Sequence, residues 1–209
     1  MTRIKCCGMT RVEDALLAAQ LGVDAIGMVF TARSRRQVSL AGALAIRRAL
    51  PPFVTTVALF MDDTPARVEE VIATVNPDLL QFHGAESDAE CLRFGRPYLK
   101  ALAMGDGGSA SPRLRDYPGA SALLLDGHGS GEAGGSGRSF DWMRVPRDLI
   151  QPVILAGGLR ADNVAVAIGQ ARPWAVDVAS GVESSPGIKD ATMLADFVAA
   201  VRAADKRER

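Results

Sequence analysis

The stretches ILAGGL (154–159) and VDVASGVE (176–183) each place a short apolar run directly before a turn of small residues. Such runs are typical of strands buried on both faces of a parallel sheet, and the turns leave backbone N–H groups open to an anion. Two turns of this kind after consecutive strands are typical of the phosphate site of a (β/α)₈ barrel, which lies after strands seven and eight. The pair therefore predicts a closed barrel in which Gly157, Gly158, Ser180 and Gly181 hold a phosphate group.

Short apolar runs and helical segments alternate along the rest of the chain. The predicted strands are 3–6, 25–30, 55–60, 79–82, 98–103, 122–126, 153–156 and 175–178. The predicted helices are 12–21, 40–50, 65–75, 87–94, 161–170 and 193–203, the first three with N-caps at Thr10, Ser39 and Thr64. Helical periodicity is weak after the fifth and sixth strands. We predict an α/β fold, a single-domain (β/α)₈ TIM barrel with one or two reduced helices. A doubly wound open sheet is the alternative, but the strand count and the glycine turns favour closure.

Length and composition indicate one domain, which we place at residues 1–204, followed by a charged tail at 205–209. The 209 residues include 24 basic and 24 acidic side chains, so we expect no nucleic-acid or membrane partner. The first residues, MTRIKCC, lack the apolar core of a signal peptide, and three cysteines form no even disulfide framework. We therefore expect a cytoplasmic protein. A glycine-rich loop at 127–139 contains His128 and Glu132, for which we predict no role.

Two neighbouring cysteines end the first predicted strand. Successive side chains on a strand point to opposite faces, so at most one thiol faces the barrel mouth. Cys7 lies where the strand gives way to the loop, and the glycine after it lets a ligand approach. Cys6 shares a face with Ile4 and is expected to fill the core, the usual place of a free cysteine.

Other polar residues fall at the predicted mouth. Asp126 follows three leucines, and a carboxyl group on an apolar strand is desolvated, which favours its protonated form and suits a general acid. Gln81 and His83 end the fourth strand, where His83 is either a structural hydrogen-bonding residue or a substrate contact. Arginines in the loop after the second strand are either solvated or bind a carboxylate or phosphate.

The motifs of nearly the whole chain resemble those of the phosphoribosylanthranilate isomerase family. KCCGMT (5–10) resembles the family's K-I-C-G-I-T, SRRQVS (34–39) its S-P-R-x-V-S, and LQFHG (80–84) its L-Q-L-H-G. LLLDG (123–127) followed by GGSGRSFDW (134–142) resembles L-L-D and G-G-[ST]-G-x-x-F-[DN]-W. LAGGL (155–159) and DVASGVESSPGIKD (177–190) complete the set in the family's order.

The resemblance implies a cofactor-free barrel, without metal, that performs an Amadori rearrangement in tryptophan biosynthesis. Its substrate would be N-(5-phosphoribosyl)anthranilate and its product 1-(2-carboxyphenylamino)-1-deoxyribulose 5-phosphate, so the partner is a phosphorylated small molecule. By position, Cys7 would be the general base and Asp126 the general acid. Arg36 would hold the anthranilate carboxylate, and Asp177 would lie near the bridging nitrogen. Either a monomer or a homodimer is compatible with the sequence.

The sequence departs from the family pattern at two positions. Cys6 stands where isoleucine is usual, and Arg35 replaces the proline before Arg36, so either arginine could meet the carboxylate. Two other functions remain open: a related aminoaldose isomerase of histidine biosynthesis, and a non-catalytic phosphate-binding barrel. The first resembles two fused half-barrels with an aspartate in place of Cys7, and no half-chain repeat is visible here. Retention of both Cys7 and Asp126 argues against the second.

Overall fold

The protein is an eight-stranded parallel barrel surrounded by helices. The computed structural model describes residues 1–104, 113–127 and 140–207. The strands are hydrogen-bonded in sequence order, and the eighth pairs with the first to close the barrel. They are β1 (Arg3–Cys7), β2 (Ala25–Val29), β3 (Thr55–Phe60), β4 (Leu79–Phe82), β5 (Tyr98–Ala103), β6 (Ala122–Asp126), β7 (Val153–Leu155) and β8 (Ala175–Val178). The predicted fold class is confirmed, because each predicted strand is present and the sheet is closed.

The helices cover the outside of the barrel and are unequal in length. They are α1 (Val12–Gln20), α2 (Leu40–Ala49), α3 (Pro65–Val75), α4 (Asp88–Leu92), α5 (Val164–Ala171) and α6 (Ala191–Arg207). In the described residues after β5 and β6, the helical structure consists of the 3₁₀ turns Arg113–Arg115 and Trp142–Arg144. Within the described residues, these short turns agree with the predicted reduction of one or two helices. Of the predicted glycine-rich loop at 127–139, the structure describes the first residue, Gly127. His128 and Glu132 lie outside the described residues.

Side-chain caps determine where several helices begin. The Ser39 hydroxyl accepts a hydrogen bond from the Gly42 amide at 3.1 Å, and the Thr64 hydroxyl accepts one from the Arg67 amide. The predicted cap at Thr10 is wrong: α1 begins after Arg11, which makes no side-chain cap. The Thr10 hydroxyl instead donates to the carbonyl of Gly187, a partner remote in sequence.

The last helix extends further than predicted. Helix α6 continues through Arg207 and so includes the first residues of the segment that the sequence assigns to a charged tail. The Asp205 carboxylate accepts hydrogen bonds from the Thr2 amide and hydroxyl, both at 2.8 Å. These bonds fasten the end of α6 beside the start of β1. No helix within the described ranges has the length and apolar character needed to cross a membrane.

Successive side chains along each strand point alternately outward and inward, and they form two separate apolar layers. Ile4, Cys6 and Ile26 point outward into the core between barrel and helices. Val57, Leu124 and other inward residues fill the lower barrel interior. The polar residues of the upper layer line a cleft at the carboxyl ends of the strands.

A small hairpin that the sequence did not predict follows β8. After the 3₁₀ turn Ser180–Val182, strands β9 (Glu183–Ser185) and β10 (Ile188–Lys189) pair in antiparallel register. Gly187 between them has φ 83°, a left-handed conformation that glycine adopts without a Cβ clash. The hairpin brings Glu183 and Lys189 to the mouth of the barrel.

Candidate active site

A cleft opens at the carboxyl ends of the barrel strands. It encloses about 700 Å³, including the part open to solvent, a size suited to a small-molecule ligand. Its lining includes every residue that the sequence proposed for the site: Cys7, Arg36, Gln81, His83, Asp126, Gly157, Gly158, Asp177, Ser180 and Gly181. The fold therefore brings into one cleft residues from six strands or the loops that follow them.

The two adjacent thiols occupy different environments. Cys7 lines the cleft, packs beside Val29 and Leu59, and is 6% exposed. Cys6 is fully buried in the core between the barrel and the helices. Burial raises the pKa of Cys6 to about 12, so this thiol stays protonated at neutral pH. Burial also raises the pKa of Cys7, while the positive charge of Lys5 acts in the opposite direction.

An ion pair spans the junction between β1 and β8 below Cys7. Lys5 Nζ lies 2.9 Å from Asp177 Oδ1, and the two residues are direct neighbours in the strand register. Burial raises the pKa of Asp177, and the Lys5 ammonium opposes that change. A buried charge requires a partner of this kind, since an isolated ion in the protein interior is strongly destabilising.

On the opposite wall, Asp126 lies beside His83, which follows β4. Asp126 is 5% exposed, and its Oδ2 lies 3.6 Å from His83 Nε2. His83 Nδ1 lies 3.4 Å from the amide nitrogen of Gln81, which can only donate. That orientation makes Nδ1 the acceptor and places a ring proton on Nε2, toward Asp126. The Gln81 carbonyl oxygen is buried and has no hydrogen-bond partner among the described residues.

Arg36 is held at the mouth by the hairpin after β8. Its Nε and Nη2 atoms donate to the Glu183 carboxylate at 2.8 to 3.0 Å. Although burial opposes ionisation, the bonds from Arg36 and the charge of Lys189 keep the pKa of Glu183 below its usual value. Lys189 Nζ also donates to the carbonyls of Cys7, at 2.6 Å, and Ala179, at 3.2 Å. Glu183 and Lys189 thus connect Arg36 to the ends of β1 and β8.

The geometry distinguishes the two arginines that the sequence could not. Arg36 lines the cleft, whereas Arg35 is exposed. Gly8, with φ 79°, lies against the Arg36 side chain, and a Cβ at this position would lie 2.5 Å from Arg36 Cδ. The glycine after Cys7 therefore makes room for the aliphatic part of Arg36.

Glycines shape the end of the cleft at β7 and β8. Gly157 and Gly158 have φ values of 87° and 62°, which disfavour any residue with a Cβ. A Cβ on Gly181 would overlap the carbonyl oxygen of Leu159, so the loops after β7 and β8 touch at this point. The Asn163 side chain fixes the first loop by donating to the Gly158 carbonyl at 2.9 Å.

Sequence reasoning missed three polar residues around the cleft: Lys5, Glu183 and Lys189. Lys5 precedes Cys7 by two residues, so strand alternation places both on one face and could have indicated it. Glu183 and Lys189 carry no comparable signal, because their partners Arg36 and Cys7 are 147 and 182 residues away. Within the described residues, no cluster of three or more histidine, cysteine or acidic side chains could hold a metal ion.

Residues 4–200 match the model of the N-(5'-phosphoribosyl)anthranilate isomerase family. The chain belongs to this family. A relative from Pseudomonas paraeruginosa, named N-(5'-phosphoribosyl)anthranilate isomerase, is 52% identical over 206 residues, covering 99% of this chain and 98% of the relative. The predicted membership and the predicted class, an aldose–ketose isomerase of tryptophan biosynthesis, are confirmed.

Solved structures of the same family share the barrel. The phosphoribosyl anthranilate isomerase of Thermotoga maritima superposes with a TM-score of 0.89 at 37% identity, over 97% of this chain and 100% of that one. Another isomerase structure holds reduced 1-(o-carboxyphenylamino)-1-deoxyribulose 5-phosphate; it is 34% identical with a TM-score of 0.86, over 97% of this chain and 100% of that one.

Proposed function

We propose that this isomerase converts N-(5-phosphoribosyl)anthranilate to 1-(2-carboxyphenylamino)-1-deoxyribulose 5-phosphate with Cys7 as general base and Asp126 as general acid. The observation that carries this assignment is that a thiol from β1 and a carboxyl group from β6 line one cleft beside a glycine cradle. A sugar phosphate anchored at the cradle would extend across the mouth between the two groups. The family match favours this reaction over that of the related isomerase of histidine biosynthesis.

The reaction requires two proton transfers in sequence. Asp126 gives a proton to the furanose ring oxygen, the C1–O bond breaks, and the nitrogen lone pair forms an iminium ion. The iminium acidifies the neighbouring C2–H, so the Cys7 thiolate can remove that proton and leave an enolamine. The Cys7 thiol then returns its proton to C1 and the Asp126 carboxylate accepts the enol proton from O2, which gives the aminoketose and restores both groups.

The remaining residues are proposed to orient the substrate. The backbone N–H groups around Gly157, Gly158, Ser180 and Gly181 would hold the phosphate, since glycine turns leave these donors accessible. Arg36 would bind the anthranilate carboxylate with the guanidinium N–H groups that Glu183 does not occupy. Asp177 would face the bridging nitrogen.

Gln81 and His83 are proposed to contact the sugar. The buried carbonyl oxygen of Gln81, without a partner among the described residues, suits a substrate hydroxyl, because buried polar atoms normally find one. His83 would in addition orient Asp126. We also propose a cytoplasmic location, since Cys7, Cys6 and Cys91 are all free thiols and the proposed base must stay reduced.

Paired substitutions on β1 test the assignment of the base. We expect Cys7→Ala and Asp126→Asn each to reduce turnover by at least about 10²–10⁴-fold, the usual contribution of one proton-transfer group. Cys6→Ile should leave turnover unchanged, because Cys6 packs in the core and isoleucine is similarly apolar. Consumption of the fluorescent aminoaldose measures each rate, and the corresponding aminoaldose of histidine biosynthesis serves as the second substrate. Full activity in Cys7→Ala, or loss of activity only in Cys6→Ile, would refute the assignment.

A further inference from the structure

Lys5 shares a small space with Cys7 on the inner face of β1. Lys5 is 3% exposed, and its ammonium contacts the Asp177 carboxylate at 2.9 Å. Gly27, the register partner of Cys7 on β2, provides the room. A Cβ on Gly27 would lie 2.8 Å from Cys7 Sγ and 3.1 Å from Lys5 Nζ, so both atoms border the same point.

Lys5 lies below the floor of the cleft. Cys7 and Asp177 line the cleft, whereas Lys5 lines the cavity at the opposite, amino-terminal end of the barrel. Its ammonium is therefore directed at the two cleft residues from beneath. Since Lys5 acts through Cys7 and Asp177, any role in the reaction is that of a positioning residue.

We propose that Lys5 stabilises the thiolate form of Cys7 from below the cleft, and that Asp177, bound to the same ammonium, opposes this effect. The proposal deepens the proposed function and rests on Cys7 being the base. A general base must be able to exist in its deprotonated form, and a thiol surrounded only by apolar groups remains protonated at neutral pH. Lys5 supplies the cation that a buried thiolate requires.

Four charged groups act on Cys7 from four parts of the fold. Lys5 lies on its own strand, Asp177 on β8, Lys189 on β10, and Arg36 on the loop after β2. Lys189 and Arg36 are both bound to Glu183, which offsets part of their charge. Burial raises the pKa of Cys7, and Lys5 is the largest of the influences that lower it. Burial would lower the pKa of Lys5, but Asp177 and Cys7 raise it, so the ammonium stays charged.

The pH dependence of Cys7 alkylation by iodoacetamide tests the proposal without requiring turnover. The thiolate displaces iodide, so the rate follows the thiolate fraction, and Cys7→Ala provides the background from the other two buried thiols. We expect Lys5→Met to move the midpoint of the alkylation profile to higher pH by about one unit or more, at least tenfold slower near neutral pH. Asp177→Asn should move the midpoint to lower pH, because the ammonium then faces the thiol without its carboxylate. Lys5→Arg keeps the charge and should retain a profile near that of the unmodified protein.

Opposite shifts in Lys5→Met and Asp177→Asn would support the proposal, because a purely structural role gives no such pair. A Lys5→Met profile that superimposes on the unmodified one, or shifts in the same direction in both variants, would overturn it. If circular dichroism shows that Lys5→Met does not fold, the alkylation profiles of Asp177→Asn and Lys5→Arg test the proposal instead. An unchanged or raised alkylation midpoint in Asp177→Asn would then contradict the proposal. Turnover by Cys7→Ala would instead refute the proposed function, while the alkylation profile would still measure the pairing of Lys5 with Cys7.

Discussion

Gly27 on β2 controls the position of the Cys7 sulfur, and Gly27→Ala is the perturbation that tests this effect. The added Cβ would lie 2.8 Å from Cys7 Sγ and 3.1 Å from Cys7 Cα. Non-bonded carbon atoms normally approach to about 3.5–4.0 Å, so one neighbour must move by roughly 1 Å. The backbone is restrained by the strand register and by the amides of Gly8 and Met9, which both donate to the Gly27 carbonyl at 2.9 Å. The Cys7 Cα needs to move by only a few tenths of an ångström, so the sulfur is the atom that moves furthest.

This change has two costs of similar size, one in stability and one in rate. Insertion of one methyl group into a packed interior destabilises a protein by about 1–3 kcal/mol. A reacting group displaced by about 1 Å loses roughly 100-fold in rate, equivalent to about 2.7 kcal/mol of transition-state stabilisation. We expect Gly27→Ala to remain folded with kcat reduced on the order of 100-fold, measured by aminoaldose fluorescence, and with stability measured by urea denaturation.

Gly169→Ala in α5 is the matched control. No atom lies within 4 Å of a Cβ at this position, so the substitution adds a methyl group without overlap. Alanine is favoured over glycine inside a helix by roughly 0.5–1 kcal/mol, so we expect slightly higher stability and unchanged turnover. A folded Gly27→Ala variant whose kcat stays within about twofold of the unmodified protein would refute the reasoning, because the Cys7 sulfur would not then need its present position.

Three further predictions concern the loops and the hairpin around the cleft. Gly181→Ala places a methyl group against the carbonyl of Leu159, so we expect the proposed phosphate cradle to open and KM to rise about 10–100-fold, checked by steady-state kinetics. Glu183→Gln removes the charge that holds Arg36, and we expect KM to rise roughly tenfold with little change in kcat. A roughly tenfold fall in kcat with an unchanged KM would contradict this expectation. Arg36 and Lys189 keep the pKa of Glu183 low despite its burial, so its contribution to stability is present above its unfolded-state pKa and is lost as the pH falls through the lower folded-state value. Glu183→Gln should therefore flatten the acidic side of the stability curve measured by urea denaturation at several pH values.

The sequence predicts the barrel well because parallel strands buried on both faces leave continuous apolar runs. The strands 55–60 and 98–103, for example, are predicted with the bounds they have in the structure. Helix starts are predictable where the cap is local, as at Ser39, whose hydroxyl binds an amide three residues later. Thr10 shows the limit, since its hydroxyl has a partner on the distant hairpin.

Strand alternation explains which parts of the candidate site were predictable. It separates Cys7, which faces the cleft, from Cys6, which faces the helices, without any knowledge of the tertiary structure. The same rule extends to Lys5, but a lysine inside a barrel contradicts the expectation that lysine is exposed. Its burial depends on Asp177, a partner 172 residues away, and only the closure of β8 onto β1 brings them together.

Ion pairing at the mouth follows from the same long-range contacts. Lys5 is bound to Asp177, whereas Arg36 and Lys189 share Glu183, so two carboxylates serve three cations. Burial makes such pairing necessary, because an unpaired cation there would cost several kcal/mol, on the order of the stability of a whole domain. Because the carboxylates already partly neutralise these cations, the proposed phosphate site relies on the backbone N–H groups of the glycine turns after β7 and β8. This division explains why the phosphate site is recognisable as a local sequence pattern, whereas the ionic network that surrounds the proposed base is visible only in the folded barrel.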